Sequence, residues 1–138
     1  MIPKTAGYSG TSLARKLGIA EGSKVFAKNP PSDYARMLAP LPPNVAFEAK
    51  VTESTDLVHV FGDRKAELRA ELKRLRAAIK SDGVIWISWP KKASKVPTDI
   101  TEDTIRELAL PLGLVDVKVC AVSEVWSGLK LVIRKAHR

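Results

Sequence analysis

One cysteine, Cys120, stands among 138 residues, so no internal disulfide can form and no paired-cysteine metal site is available. Histidine is nearly as scarce. His59 lies inside an apolar run and His137 on the terminal tail, so neither a metal cluster nor a nucleophile–histidine pair is indicated. No apolar run approaches the roughly 20 residues a membrane-spanning helix needs, and residues 1–7 lack the apolar core of a secretory signal. There is no Walker-type phosphate loop, no His-Glu-x-x-His helix, no internal repeat and no low-complexity tract. These absences lead to the expectation of a protein of the reducing cytoplasm, without membrane contact, metal or cofactor, and no residue is assigned a catalytic role.

What is present is an apolar content of 45% and a formal charge of +8. The length suits one domain, expected over 8–136, with 1–7 a flexible tail and 136–138 equally free. The charge is uneven. Residues 64–95 hold ten Lys or Arg against Glu67, Glu71 and Asp82, a balance of +7. Such concentration permits an anionic partner without identifying one.

Leu57-Val58-His59-Val60-Phe61 has the continuous apolar, β-branched character of a strand covered on both faces, with Gly62-Asp63 turning out of it. The helix predicted from Asp63 to Lys80 carries Leu68, Leu72, Leu75 and Ile79 at spacings of four, three and four, an apolar stripe for the sheet. Val84-Ile85-Trp86-Ile87 then reads as a central strand. Together these form a βαβ unit whose right-handed crossover sets the two strands side by side. Further strands are predicted at 24–28 and 45–48, with an antiparallel pair at 115–123 and 129–135 separated by 124–128, too short for a crossover helix. Short helices are predicted over 11–17, capped by Thr11 or Ser12, and over 33–38. Another starts at Thr101, with Glu102 and Asp103 in its first turn and Pro111 and Gly113 closing it.

From Asp56 onward, the order Asp-Leu-Val strand, helix, Asp-Gly-Val-Ile-Trp-Ile-Ser strand, helix and terminal antiparallel pair resembles the C-terminal half of the class I methyltransferase fold. The resemblance covers about three-fifths of the chain. It implies a three-layer, Rossmann-like α/β domain with a mainly parallel sheet and a C-terminal antiparallel hairpin. The strand order would run 45–48, 24–28, 57–61, 84–87, then the last strand and its hairpin partner. In that family the donor S-adenosylmethionine lies over a glycine-rich turn after the first strand, with an acidic residue on the ribose. Here Asn29-Pro30-Pro31-Ser32 takes the place of the glycines. Proline has no N–H to offer, and Glu48, which mimics the acidic residue, lacks a cradle to work with. A second likeness spans nearly the whole chain. Gly7-Tyr8-Ser9-Gly10-Thr11-Ser12-Leu13, Lys16-Leu17-Gly18-Ile19, Trp89-Pro90-Lys91-Lys92 and Thr98 to Glu102 are similar to a bacterial family carrying a domain of unknown function. Members of that family usually show proline where this chain has Ser12, and the resemblance implies no activity.

The candidate sites follow. Asn29-Pro30-Pro31 is similar to the Asn-Pro-Pro-aromatic motif of amino-methyltransferases, but Ser32 occupies the aromatic position and the motif follows the wrong strand, so it reads as a loop. His59 reads as a hydrogen-bonded core residue and Cys120 as a packed thiol. Trp89-Pro90-Lys91-Lys92-Ala93-Ser94-Lys95 leaves the carboxyl end of a central strand, where ligands enter open α/β sheets. With Tyr34, the residues Trp89, Lys91, Lys92 and Lys95 make a candidate rim for a ligand or partner. Arg69, Lys73, Arg76 and Lys80 repeat the leucine spacing one residue later, a candidate anion-binding stripe whose plainer reading is a solvated fringe. The leading expectation is a non-catalytic binding or regulatory module for a protein or small anionic ligand. The alternatives are a small methyltransferase with an atypical donor site, or a basic nucleic-acid-binding protein, the last not favoured because no reading module is present.

Overall fold

The structure, a computed structural model, describes residues 11–138. The predicted tail at 1–7 and the Tyr8-Ser9-Gly10 part of the N-terminal motif lie outside the described residues. In chain order the elements are α1 (Leu13–Leu17), β1 (Lys24–Lys28), α2 (Tyr34–Leu38), β2 (Ala46–Phe47), β3 (Leu57–Phe61) and α3 (Lys65–Ala78). They continue with β4 (Val84–Pro90), α4 (Glu102–Ala109), β5 (Leu114–Ala121) and β6 (Trp126–Ile133). One six-stranded sheet runs β2-β1-β3-β4-β6-β5, parallel from β2 to β4 and antiparallel through β4, β6 and β5. The strand order expected from the methyltransferase resemblance is the one observed.

β3 is buried at all five positions because each face is covered. Val58 and Val60 pack with Ile85 and Ile87 under Leu68, Leu72 and Leu75 of α3 and Ile105 of α4. Leu57, Phe61 and Trp86 face α1 and α2, meeting Leu13, Leu17, Tyr34 and Leu38. The Trp86 indole N–H donates to the Leu17 carbonyl at 2.8 Å, which pins α1 over the sheet. Local signals set the helix ends. Ser12 caps α1, Gly18 closes it at φ 87°, and the Thr101 hydroxyl accepts from the Thr104 N–H at the start of α4.

Several predicted boundaries move. α3 is shorter than 63–80 at both ends: the Asp63 carbonyl accepts from Thr98 and Asp99, and Lys80 leaves the helix to meet Asp56 at 2.5 Å. The strand predicted at 45–48 shrinks to Ala46–Phe47 on the exposed edge. β4 runs on to Pro90, and residues 126–128, expected in the hairpin loop, belong to β6 because Ser88, Trp89 and Pro90 pair with them. Gly128 looked like a turn residue, yet its missing side chain serves packing. A Cβ there would come within 2.9 Å of Val122 and 3.2 Å of the Trp86 ring. The C-terminal tail is docked, with Lys135–His137 in a 3-10 turn and the Arg138 Nε donating to the Ile133 carbonyl at 2.7 Å.

Candidate functional site

β1 leads away through α2 to β2 on one side, and β3 leads through α3 to β4 on the other. Where the two connections diverge, a crevice must open at the carboxyl ends of the strands. A cleft of 540 Å³ occupies this position, bounded by Lys28 and Asn29 after β1, Phe61 to Arg64 after β3, Glu71 and Arg74 of α3, and Trp126.

Glu71 sits on the buried side of α3, between Leu68 and Leu75, and is 8% exposed. Its carboxylate is tolerated there because Arg74 bonds it directly and the Lys28 ammonium lies 3.8 Å away. The free amide at the start of α3, an ordinary anion position, is filled from within the chain. Asp99 Oδ1 accepts from the Lys65 N–H at 2.6 Å.

Asn29 adopts φ 54°, the left-handed conformation that glycine tolerates best and asparagine next best. The turn after β1 therefore keeps a left-handed bend while Pro30 and Pro31 remove two amide donors. Glu48 is engaged as well, its carboxylate accepting from the Thr55 hydroxyl at 3.0 Å. The residues present do not fit an S-adenosyl donor held as the methyltransferase resemblance implies.

On the opposite face of the same strands lies a sealed polar chain. His59 Nδ1 meets the Tyr34 hydroxyl at 2.7 Å and His59 Nε2 meets the Ser88 hydroxyl at 2.7 Å, with His59 and Ser88 fully buried. Burial pushes the imidazole down to about 3 and the Tyr34 phenol upward, so both are neutral. His59 is thus the hydrogen-bonded core residue expected. Cys120 is half-buried, and burial raises its thiol against the opposing pull of Lys16 and Lys118.

The candidate rim is only partly assembled. Trp89 is 8% exposed within the core under α3 and α4, and Tyr34 is 6% exposed behind His59, so both are corrected from surface to interior. Trp89 lies within β4 rather than in the loop after it and takes the face under α3 and α4, while Tyr34 opens α2 and is held inward by its bond to His59. Lys92 and Lys95 are exposed, Lys91 is half-buried, and the Ser94 hydroxyl donates to the Lys91 carbonyl at 2.6 Å. The stripe also divides. Arg69 and Lys73 are exposed, but the Arg76 Nε donates to the Leu112 carbonyl at 2.9 Å and Lys80 is paired with Asp56 beyond the helix end. Sequence reasoning missed Lys28, Glu71, Arg74 and Trp126. The legible signal was Glu71, a charge set into an apolar stripe.

Among the described residues no group of His, Cys, Asp or Glu is placed to hold a metal, and no helix is long and apolar enough to cross a membrane. A comparison with curated proteins finds none that matches. Among solved structures, the chain is similar to a SAM-dependent methyltransferase from Aquifex aeolicus at 14% identity, covering 88% of this chain and 87% of that one, with a TM-score of 0.64. A S-adenosylmethionine-dependent methyltransferase from Clostridium acetobutylicum matches at 10% identity, 88% and 87% coverage and a TM-score of 0.56. The Methanococcus jannaschii fibrillarin pre-rRNA processing protein matches at 10% identity, 91% and 75% coverage and a TM-score of 0.57. At such identities the likeness is one of fold, and the scaffold is methyltransferase-like. The family model described as "Protein of unknown function (DUF3052)" matches residues 45–135, and the chain belongs to that family.

Proposed function

We propose that the protein is a non-catalytic binding or regulatory module of the cytoplasm, built on a methyltransferase-like scaffold that no longer holds a methyl donor. One observation carries this reading: of the turn after β1 only Asn29 lines the cleft, and the next two residues, Pro30 and Pro31, have no amide N–H to offer a nucleotide where the fold would need them. The engaged Glu48 supports it from the ribose side. Lys91, Lys92 and Lys95 remain as a basic rim for an anionic group of the partner.

The rival reading, a small methyltransferase with an atypical donor site, draws on the 540 Å³ cleft and the left-handed Asn29. Calorimetry with S-adenosylmethionine and S-adenosylhomocysteine separates the two. The module reading expects no heat of binding; a dissociation constant near 1 μM, about −8 kcal/mol, overturns it.

A further inference from the structure

β1 lies between β2 and β3 in the sheet, and all three are parallel. The chain therefore crosses β1 between the end of β2 and the start of β3. Parallel crossovers ordinarily take a dozen or more residues and carry a helix that covers the strand they pass. This one spans only residues 48–56 and has no helix. On the side of the sheet occupied by α3 and α4, no helix among the described residues lies above β1, and Phe26 at its centre stays half-buried with Val51 beside it.

The uncovered strip is a groove beside α3. The switch-point cleft continues into a second hollow of 300 Å³, the two sharing Lys28, Glu71 and Arg74. The second hollow runs over Phe26, between α3 and Ala49 to Val51. The 14 residues of α3 give this wall a length of about 21 Å, three to four helical turns. In the second hollow Lys28, Lys50 and Arg74 stand against Glu71 alone, whose carboxylate pairs with Lys28 and Arg74, while in the first hollow Arg64 stands beside Asp63 and Glu67. Over the second hollow the floor is apolar and the surplus charge is cationic, with Lys50 standing outside the Glu71 ion cluster.

We infer that this groove docks an acidic amphipathic helix of a partner protein, lying beside α3 where the crossover helix is missing. Leucine-type side chains of the partner reach Phe26 and Val51, while its carboxylates meet Lys50 and the solvent-facing atoms of Lys28 and Arg74 that Glu71 leaves over. A nucleic acid would use the charges but not the apolar floor. A second copy is disfavoured because α3 and α4 both spend their apolar faces on their own core. The inference rests on the reading of the chain as a binding module, but its test is separate from donor calorimetry, and either can fail alone.

The test titrates the full chain into a labelled peptide of about 16 residues, with leucines at i, i+3, i+4 spacing and glutamates elsewhere, followed by fluorescence anisotropy. Two controls are a peptide with lysine for glutamate and a scrambled peptide of the same composition. The expected result is micromolar binding of the periodic acidic peptide, at least about tenfold tighter than either control. Phe26→Glu and Lys50→Glu should each weaken it, by about tenfold and about threefold. Lys50 is exposed, so Lys50→Glu gives a readout even if Phe26→Glu lowers stability. No binding of the periodic peptide, equal binding of the scrambled one, or undiminished affinity in Lys50→Glu overturns the inference.

Discussion

His59 and Lys28 stand on neighbouring rungs of the same pair of strands, His59 opposite Ala27 and Lys28 opposite Val60, but they face opposite sides of the sheet. Toward α1 and α2, the polar atoms of Tyr34, His59 and Ser88 satisfy one another and exclude water. Toward α3, Lys28, Glu71 and Arg74 form the wall of an open cleft. The difference shows what burial does to chemistry. A neutral imidazole offers one donor and one acceptor, and two hydroxyls able to take either role match it completely, leaving nothing for a ligand. The ion cluster has exposed atoms left over.

The sharpest way to break this contrast is to truncate one member on each face. His59→Ala leaves two buried hydroxyls unpartnered and opens a cavity, and should cost about 3–5 kcal/mol in urea unfolding. Lys28→Ala removes a partly exposed charge and should cost less than about 1 kcal/mol. Similar losses in the two variants would mean that both clusters are structural.

The second prediction reads the same histidine by pH. Burial lowers its folded pKa from 6.5 to about 3. Below pH 6.5 the unfolded chain takes up a proton that the folded chain refuses. Stability is therefore fully present above pH 6.5 and drains as pH falls toward 3. Between pH 7.5 and 5, where carboxylates remain ionised, the loss should be about 2 kcal/mol. Urea midpoints across that range should fall in the parent and stay nearly flat in a His59→Gln variant. An equal slope in both would place the titrating group elsewhere.

The fold was largely legible because its signals are local and periodic. The stripe of Leu68, Leu72 and Leu75 and the unbroken run of β3 admit few other arrangements, and crossover handedness fixes the central strands. The hairpin boundaries were not legible, since Gly128 reads as a turn until the Trp86 ring is known to press against it. The cleft was half legible. The prolines after β1 are visible in the sequence, but the pairing of Lys28 with Glu71 joins residues far apart in the chain. Trp89 misled because loop proximity says nothing about which face of a strand a side chain takes. Asp99 was equally unreadable as a cap, because it reaches α3 from a later loop.

That remote cap gives a third, smaller effect. Asp99→Ala removes the acceptor for the Lys65 N–H and should cost about 1 kcal/mol, the usual value of a helix cap. Asp99→Asn should recover most of it, because the amide oxygen can still accept. If the asparagine variant is as unstable as the alanine variant, the negative charge rather than the hydrogen bond holds the helix start.

The smallest effect is expected where the stripe meets solvent. Lys73 and Arg69 are exposed on α3, with no ion pair among the described residues. Lys73→Glu should therefore change stability by less than about 0.5 kcal/mol. Arg76 is no equivalent control, because its guanidinium also holds the Leu112 carbonyl and its loss would disturb the contact between α3 and the turn after α4. The same Lys73→Glu variant separates a solvated fringe from a nucleic-acid surface. On single-stranded RNA at low salt, a fringe gives no retention in either protein, whereas a phosphate-binding surface gives retention that falls with salt and weakens in the variant. An exposed basic stripe at helical spacing looks the same in both cases, so only the salt dependence distinguishes a surface that meets phosphates from one that meets water.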